Sequence, residues 1–168
     1  FSPLLPRFTL GATTREIIVL EFSSAVMALI LSGKVGSNIA SEIGTMRITE
    51  QIDALDVMGV NSANYLILPK ITAMVLFMPI LVIFSIACGL IGAGLVAYFT
   101  GNPSIDTYIY GIQAFFDPGN IFYAIKKSFV FAFLIASIPS FCGYYVKGGA
   151  LQVGRASTQA VVTTSIMV

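Results

Sequence analysis

The chain has 168 residues, of which 57% are hydrophobic and 10% charged, with a formal net charge of +1 and no histidine. Soluble domains carry roughly 25% charged residues, so this composition excludes an ordinary soluble globular protein. The small net charge excludes nucleic acid as a partner bound through bulk basicity, and the missing imidazoles exclude histidine-based metal sites and a Ser-His-Asp nucleophile.

In chain order, Ile17–Leu31 is the first apolar run, broken by Glu21. The pattern predicts a helix from about Thr14 to Met46 that crosses a bilayer and continues beyond it. Ala28, Ser32, Gly36, Ala40 and Gly44 recur every four residues along it. Small residues at that spacing let neighbouring backbones approach closely in lipid, which makes Ser32, Gly36 and Ala40 candidate helix-packing positions.

A polar island follows, Gly33–Lys70, holding four of the eight acids (Glu42, Glu50, Asp53, Asp56) and three of the nine bases (Lys34, Arg47, Lys70). Residues 47–59 read as a short amphipathic helix. At about 100° per residue, Ile48, Ile52, Leu55 and Gly59 gather on one arc and Arg47, Glu50, Asp53 and Val57 on the other. Arg47, Glu50 and Asp53 follow at i, i+3 and i+6, a spacing expected to form a salt-bridged row. Gly59 and Asn61 offer a stop, and Pro69 is expected to open the next span.

That second span runs over Pro69–Phe99. Ile71–Phe99 carries no charge and is longer than the roughly 20 residues a crossing helix needs. Ser85, Gly89, Ala93 and Ala97 repeat the four-residue pattern, adding Gly89 and Ala93 to the packing candidates. A turn at Thr100–Ser104, an aromatic stretch Tyr108–Phe116 and the breaker Asp117-Pro118-Gly119-Asn120 precede a third span, Ile121–Val146. Lys147-Gly148-Gly149 closes it, and a fourth, incomplete segment is expected from Ser157 to Val168. The chain opens on Phe1 and stops inside an apolar run, so it is expected to continue at both ends. The fold expected is all-α: a polytopic transmembrane helical bundle in a single membrane domain, with a short amphipathic helix beside it. Membrane barrels show alternating segments of about ten residues instead.

Five bases (Lys34, Arg47, Lys70, Lys147, Arg155) fall on the side of the polar island and four (Arg7, Arg15, Lys126, Lys127) on the other. That margin favours the island's side as cytoplasmic. Arg15-Glu16 reads as an interfacial ion pair or a solvated helix start. Glu21 has two readings: a carboxylate near the outer interface bonded to Ser23, Ser24 or a neighbouring helix, or a group in a lipid pathway, since ionisable residues at membrane depth are functional candidates. Lys126 and Lys127 either snorkel to the interface or attract a lipid phosphate. Cys88 and Cys142 sit in apolar runs, where buried structural thiols are expected in preference to a disulfide. The short helix is either a solvated or interfacial connector or a docking element. Lipid-binding interfacial helices carry Lys/Arg-rich polar faces, whereas this face is acidic and suits a protein groove better.

The island also carries a family resemblance. GKVGSNIASEIGTMRITEQIDALDVMGV, and VGRAST at Val153–Thr158, closely resemble the signature runs of the MlaE/YrbE permeases, the membrane subunits of ABC transporters that move phospholipid between bacterial membranes. Two departures stand out: Asn61-Ser62 where many members have Asp-Pro, and Leu20-Glu21-Phe22-Ser23-Ser24 where many read R-E-L-G-P. The resemblance implies a non-enzymatic, multi-pass permease of the bacterial inner membrane, without a cofactor. It further implies a homodimer, a separate ABC ATPase, a periplasmic MCE-type lipid-binding subunit and phospholipid as cargo. Residues 47–59 would be the coupling helix, with Glu42, Arg47, Glu50, Gln51, Asp53 and Leu55 as coupling residues. Independently of the resemblance, the chain contains no G-x-x-x-x-G-K-[ST] phosphate loop. The rival readings are a secondary transporter or channel and a non-transporting membrane scaffold.

Overall fold

In the computed structural model, which describes residues 9–101, 104–114 and 116–168, nearly all of the backbone is helical. Six helices follow one another among the described residues: α1 (Thr9–Ile48), α2 (Gln51–Val57), α3 (Ser62–Thr100), α4 (Ile105–Gln113), α5 (Pro118–Tyr144) and α6 (Ala150–Met167). Arg7, and Asn102 and Pro103 of the expected turn, lie outside the described residues. The helices α1, α3 and α5 are long and apolar enough to cross a membrane. Helix is the form that such runs must take, because lipid offers no partner to a backbone N–H or C=O.

The helix ends fall where local caps put them, and several differ from the limits of the apolar runs. α3 begins at Ser62, so Pro69 lies inside it. Asn61 makes the start: its side-chain oxygen accepts the Asn64 N–H at 3.1 Å and its carbonyl the Tyr65 N–H at 3.0 Å, a capping arrangement open to Asn. α5 begins at Pro118, where the missing proline N–H costs nothing, and Asp117 Oδ1 accepts the Gly119 N–H at 2.9 Å. α5 ends at Tyr144, before Val146. α6 starts at Ala150 and not at Ser157, because Gly148, at φ +115°, turns the chain directly into it.

The largest departure concerns residues 47–59, which do not form one helix. α1 continues through Arg47 to Ile48, and the chain breaks at Thr49 and Glu50. Glu50 adopts the left-handed region (φ 60°, ψ 14°), with its N–H bonded to the Arg47 carbonyl at 3.2 Å. This is the position after a helix C-cap that usually selects glycine. α2 then closes on Gly59 (φ +78°), with Val60 N–H donating to Leu55 O at 3.1 Å and Gly59 N–H to Asp56 O at 3.0 Å. That pair of bonds is a Schellman motif.

α1 is interrupted by two π turns, Ile18–Phe22 and Ser32–Gly36. The second explains the four-residue repeat. In a helix of 3.6 residues per turn, each step of four runs about 40° ahead, so Ala28 to Gly44 would drift by about 160° and leave one face. A π turn inserts one residue and takes back about 100°. All five positions are accordingly buried: Ala28, Ser32 and Ala40 are 0% exposed, and Gly36 and Gly44 are also inside.

The contacts divide the chain into two units. In the first (residues up to Met27, with Ile80–Lys127), α1 lies against α4 at backbone distance: a carbon added at Gly11 would sit 2.8 Å from the Tyr108 carbonyl oxygen. Tyr108 is buried, donates its hydroxyl to Leu90 O at 3.0 Å, and rests on Gly94. Burial pushes its phenol pKa up. Arg15 is 4% exposed, and its Nη1 donates to the carbonyls of Ile112 (2.6 Å) and Ala114 (2.9 Å) at the end of α4. Its Nη2 also lies 3.4 Å from Glu16 Oε1, so the expected Arg15–Glu16 ion pair forms, with a buried cation instead of a solvated one. A buried cation needs such partners, and a helix C-terminus supplies partial negative charge.

In the second unit (Ala28–Pro79 and Ser128–Val168), α1 packs on α5 and α6. A carbon at Gly143 would lie 2.7 Å from Ala40 O, and one at Gly36 3.2 Å from Pro139 Cγ. Hydroxyl contacts Ser32–Ser165 and Ser157–Ser37 O, each 3.0 Å, tie α6 to α1. The apolar cluster of this unit is Ile39, Ile43 and Ile52, with Val35, Met46, Leu66, Ile67 and Tyr144 around it.

Candidate functional site

The second unit presents a short helix held from within by one side chain. Ile52 is 0% exposed and packs on Ile39 and Ile43 of α1. Ile48 and Leu55 are half-buried and Gly59 exposed, so the apolar arc expected of this segment narrows to Ile52 with partial help from Ile48, at the end of α1, and Leu55. Glu50, Gln51 and Asp53 are exposed. So are two apolar residues at the far end of α2, Val57 at 88% and Met58 at 68%. The free face is thus acidic with an apolar edge.

Arg47 Nη1 donates to Asp53 Oδ1 at 2.7 Å, a bond that spans the break between α1 and α2. The expected row does not run through Glu50, because its left-handed backbone takes the chain out of helix between the two partners. Behind the pair, the guanidinium carbon of Arg47 lies 5.8 Å from the centroid of the Tyr144 ring, within cation–π range. The Tyr144 hydroxyl contacts the Ser62 hydroxyl at 3.0 Å, and Ser62 is 2% exposed. The Ser62 N–H in turn donates to Asp56 Oδ1 at 3.4 Å. Glu42 stands apart from α2: it lies on α1 and pairs with Lys70 of α3 at 2.6 Å.

In the first unit, Glu21 and Lys127 meet. Lys127 Nζ lies 2.6 Å from Glu21 Oε2 and 3.5 Å from Leu20 O, while Lys126 is exposed beside them. Glu21 sits in the first π turn of α1. Of its two expected serine partners, Ser24 bonds backbone carbonyls, whereas the buried Ser23 hydroxyl has no partner among the described residues. Two opposite charges inside apolar helices lower the cost of either one alone. Among the packing candidates of α3, a carbon at Gly89 would meet Ile18 Cγ2 at 3.0 Å. Ala93 lines a cleft of about 380 Å³ with Leu10, Thr14, Val96, Ala97, Thr100 and Tyr108. Tyr144, Ser62 and the buried state of Arg15 escaped sequence reasoning. The available signals were an aromatic residue at the end of a span and a serine directly after Asn61.

Long apolar helices, small-residue helix faces and a short exposed helix between the first two spans define a multi-pass helical membrane protein. The chain belongs to the MlaE permease family, whose description, permease MlaE, matches residues 3–168. It is similar to a probable ABC transporter permease protein of Rickettsia bellii, 37% identical over 166 residues, which covers 96% of this chain and 64% of that protein. A probable ABC transporter permease of Synechocystis sp. is 36% identical over 163 residues (95% and 61%), and one of Pyropia yezoensis 32% over 154 residues (92% and 59%). The chain spans a little under two thirds of the length of these curated relatives.

Proposed function

We propose that this chain is the membrane subunit of an ABC transporter that moves phospholipid, and that a separate ATPase drives it by gripping α2. The observation that carries this reading is the α2 face itself. Ile52 fixes the helix from inside, while Glu50, Gln51, Asp53, Val57 and Met58 stay exposed. An acidic face with an apolar edge suits a protein groove and not an anionic lipid surface. Membership of a permease family agrees with a subunit that binds and changes shape without making bonds. Glu21 and Lys127 are the groups proposed to meet lipid headgroups, with Lys126 beside them. Operation as a homodimer, with a periplasmic MCE-type subunit, in the bacterial inner membrane rests on the family resemblance alone.

The test is charge reversal, Glu50→Lys with Asp53→Lys, in the full-length permease co-expressed with the candidate ATPase. Co-purified ATPase should fall about tenfold or more, the scale of losing charged contacts at an interface, while permease in the membrane stays constant. ATP-dependent movement of labelled phospholipid in vesicles should fall with it. ATPase bound at the wild-type level would move the docking role away from α2. Lipid movement independent of the ATPase would favour a secondary transporter.

A further inference from the structure

The α2 segment is fastened at both ends to a single residue, Tyr144, the last of α5. At its beginning, Arg47 holds Asp53 at 2.7 Å and lies over the Tyr144 ring, 5.8 Å from its centroid. At its end, Ser62 meets the Tyr144 hydroxyl at 3.0 Å while its N–H reaches back to Asp56 of α2 at 3.4 Å. Ring face and hydroxyl belong to one rigid side chain, so a displacement at either end of α2 is felt at the same point on α5. The turn at the start of α2 also has a built-in bend: Glu50 is the one described non-glycine residue with positive φ. Non-glycine residues held there store strain, a feature of segments that move.

We infer that Tyr144 is a positioning residue that transmits movement of α2 into α5. Its two contacts differ in kind. Ser62 is 2% exposed, and its hydroxyl forms a sheltered bond that keeps the end of α2 in place. Arg47 is about one-third exposed and Asp53 more than half, so that clasp is in contact with water and can be exchanged when a partner offers Asp53 another cation. Movement therefore begins at the Arg47 end and pivots on the Ser62 end. Beyond Tyr144, α5 carries it to Gly143 and Pro139, which touch Ala40 and Gly36 of α1.

The inference rests on reading α2 as the ATPase contact, and two measurements keep the two ideas separable. In vesicles holding the full transporter, Tyr144→Phe removes the hydroxyl and keeps the ring, whereas Tyr144→Leu removes both. Lipid moved per ATP hydrolysed should fall about fivefold for Tyr144→Phe, the scale of one lost hydrogen bond, and further for Tyr144→Leu. Ser62→Ala should match Tyr144→Phe, and combining them should add nothing. ATP hydrolysis and ATPase binding should stay within about twofold. In the full-length permease alone, Tyr144→Phe should speed amide exchange at 51–60 and 143–146 together while 130–140 stays protected. An unchanged ratio of lipid to ATP in Tyr144→Leu overturns the proposal, as does exchange that rises throughout α5. If the wild-type transporter moves no lipid with ATP, the proposed function fails, and the exchange pattern still decides the linkage.

Discussion

Each unit places an arginine beside an aromatic ring, and the two are used in opposite ways. Arg15 is 4% exposed, lies 5.9 Å from the Phe116 ring centroid and donates to two backbone carbonyls at the end of α4. Arg47 is 35% exposed by side chain, lies over Tyr144 and holds an exposed carboxylate. Carbonyls cannot move without their helix and water does not compete for the buried guanidinium, so Arg15 sets α1 against α4 permanently. A carboxylate on a neighbouring short helix, in contact with water, can be released and taken up again. The environment around the guanidinium, more than the residue type, separates a fixed joint from a working one.

Three substitutions sharpen that contrast. The largest effect is expected from Arg15→Ala, which leaves the end of α4 without its donor and opens a void: a loss of about 3 kcal/mol, the scale of breaking a buried charged contact. Denaturant titration of the purified permease would measure it, and a loss below about 1 kcal/mol would place Arg15 with ordinary surface cations. An intermediate effect of opposite sign is expected from Glu50→Gly. Relief of the left-handed backbone should stabilise by about 1 kcal/mol, read as a higher midpoint in the same titration. The smallest effect belongs to Arg47 and Asp53: a double-mutant cycle should give a coupling of about 0.5 kcal/mol, shrinking in high salt. A salt-independent coupling of several kcal/mol would make Arg47 a second fixed joint.

The three long helices were legible because charge-free runs over 20 residues have one solution in lipid. Their ends were less so. Pro69 looks like a helix start, yet Asn61 caps the chain earlier and the proline is absorbed inside α3, as membrane helices allow. The break at Glu50 left no mark, since periodicity cannot register a single left-handed residue and glutamate is not a turn signal. Pairings such as Glu21–Lys127 and Ser62–Tyr144 join residues 106 and 82 positions apart. They depend on how helices meet, and a local pattern holds no information about that. The exposed acids of α2 could be read from the sequence because their phase around Ile52 survives the break.

The π turn at Ser32–Gly36 also limits how this chain can vary. Its extra residue is the key that keeps Ala28 and Gly44 on one line. Losing any one residue there would leave a smooth, unbroken α-helix that satisfies every backbone bond. It would also turn Ala40 and Gly44 by about 100° away from Gly143 and Val153. A better helix would thus make a worse protein: at this point length carries the meaning that elsewhere is carried by side chains.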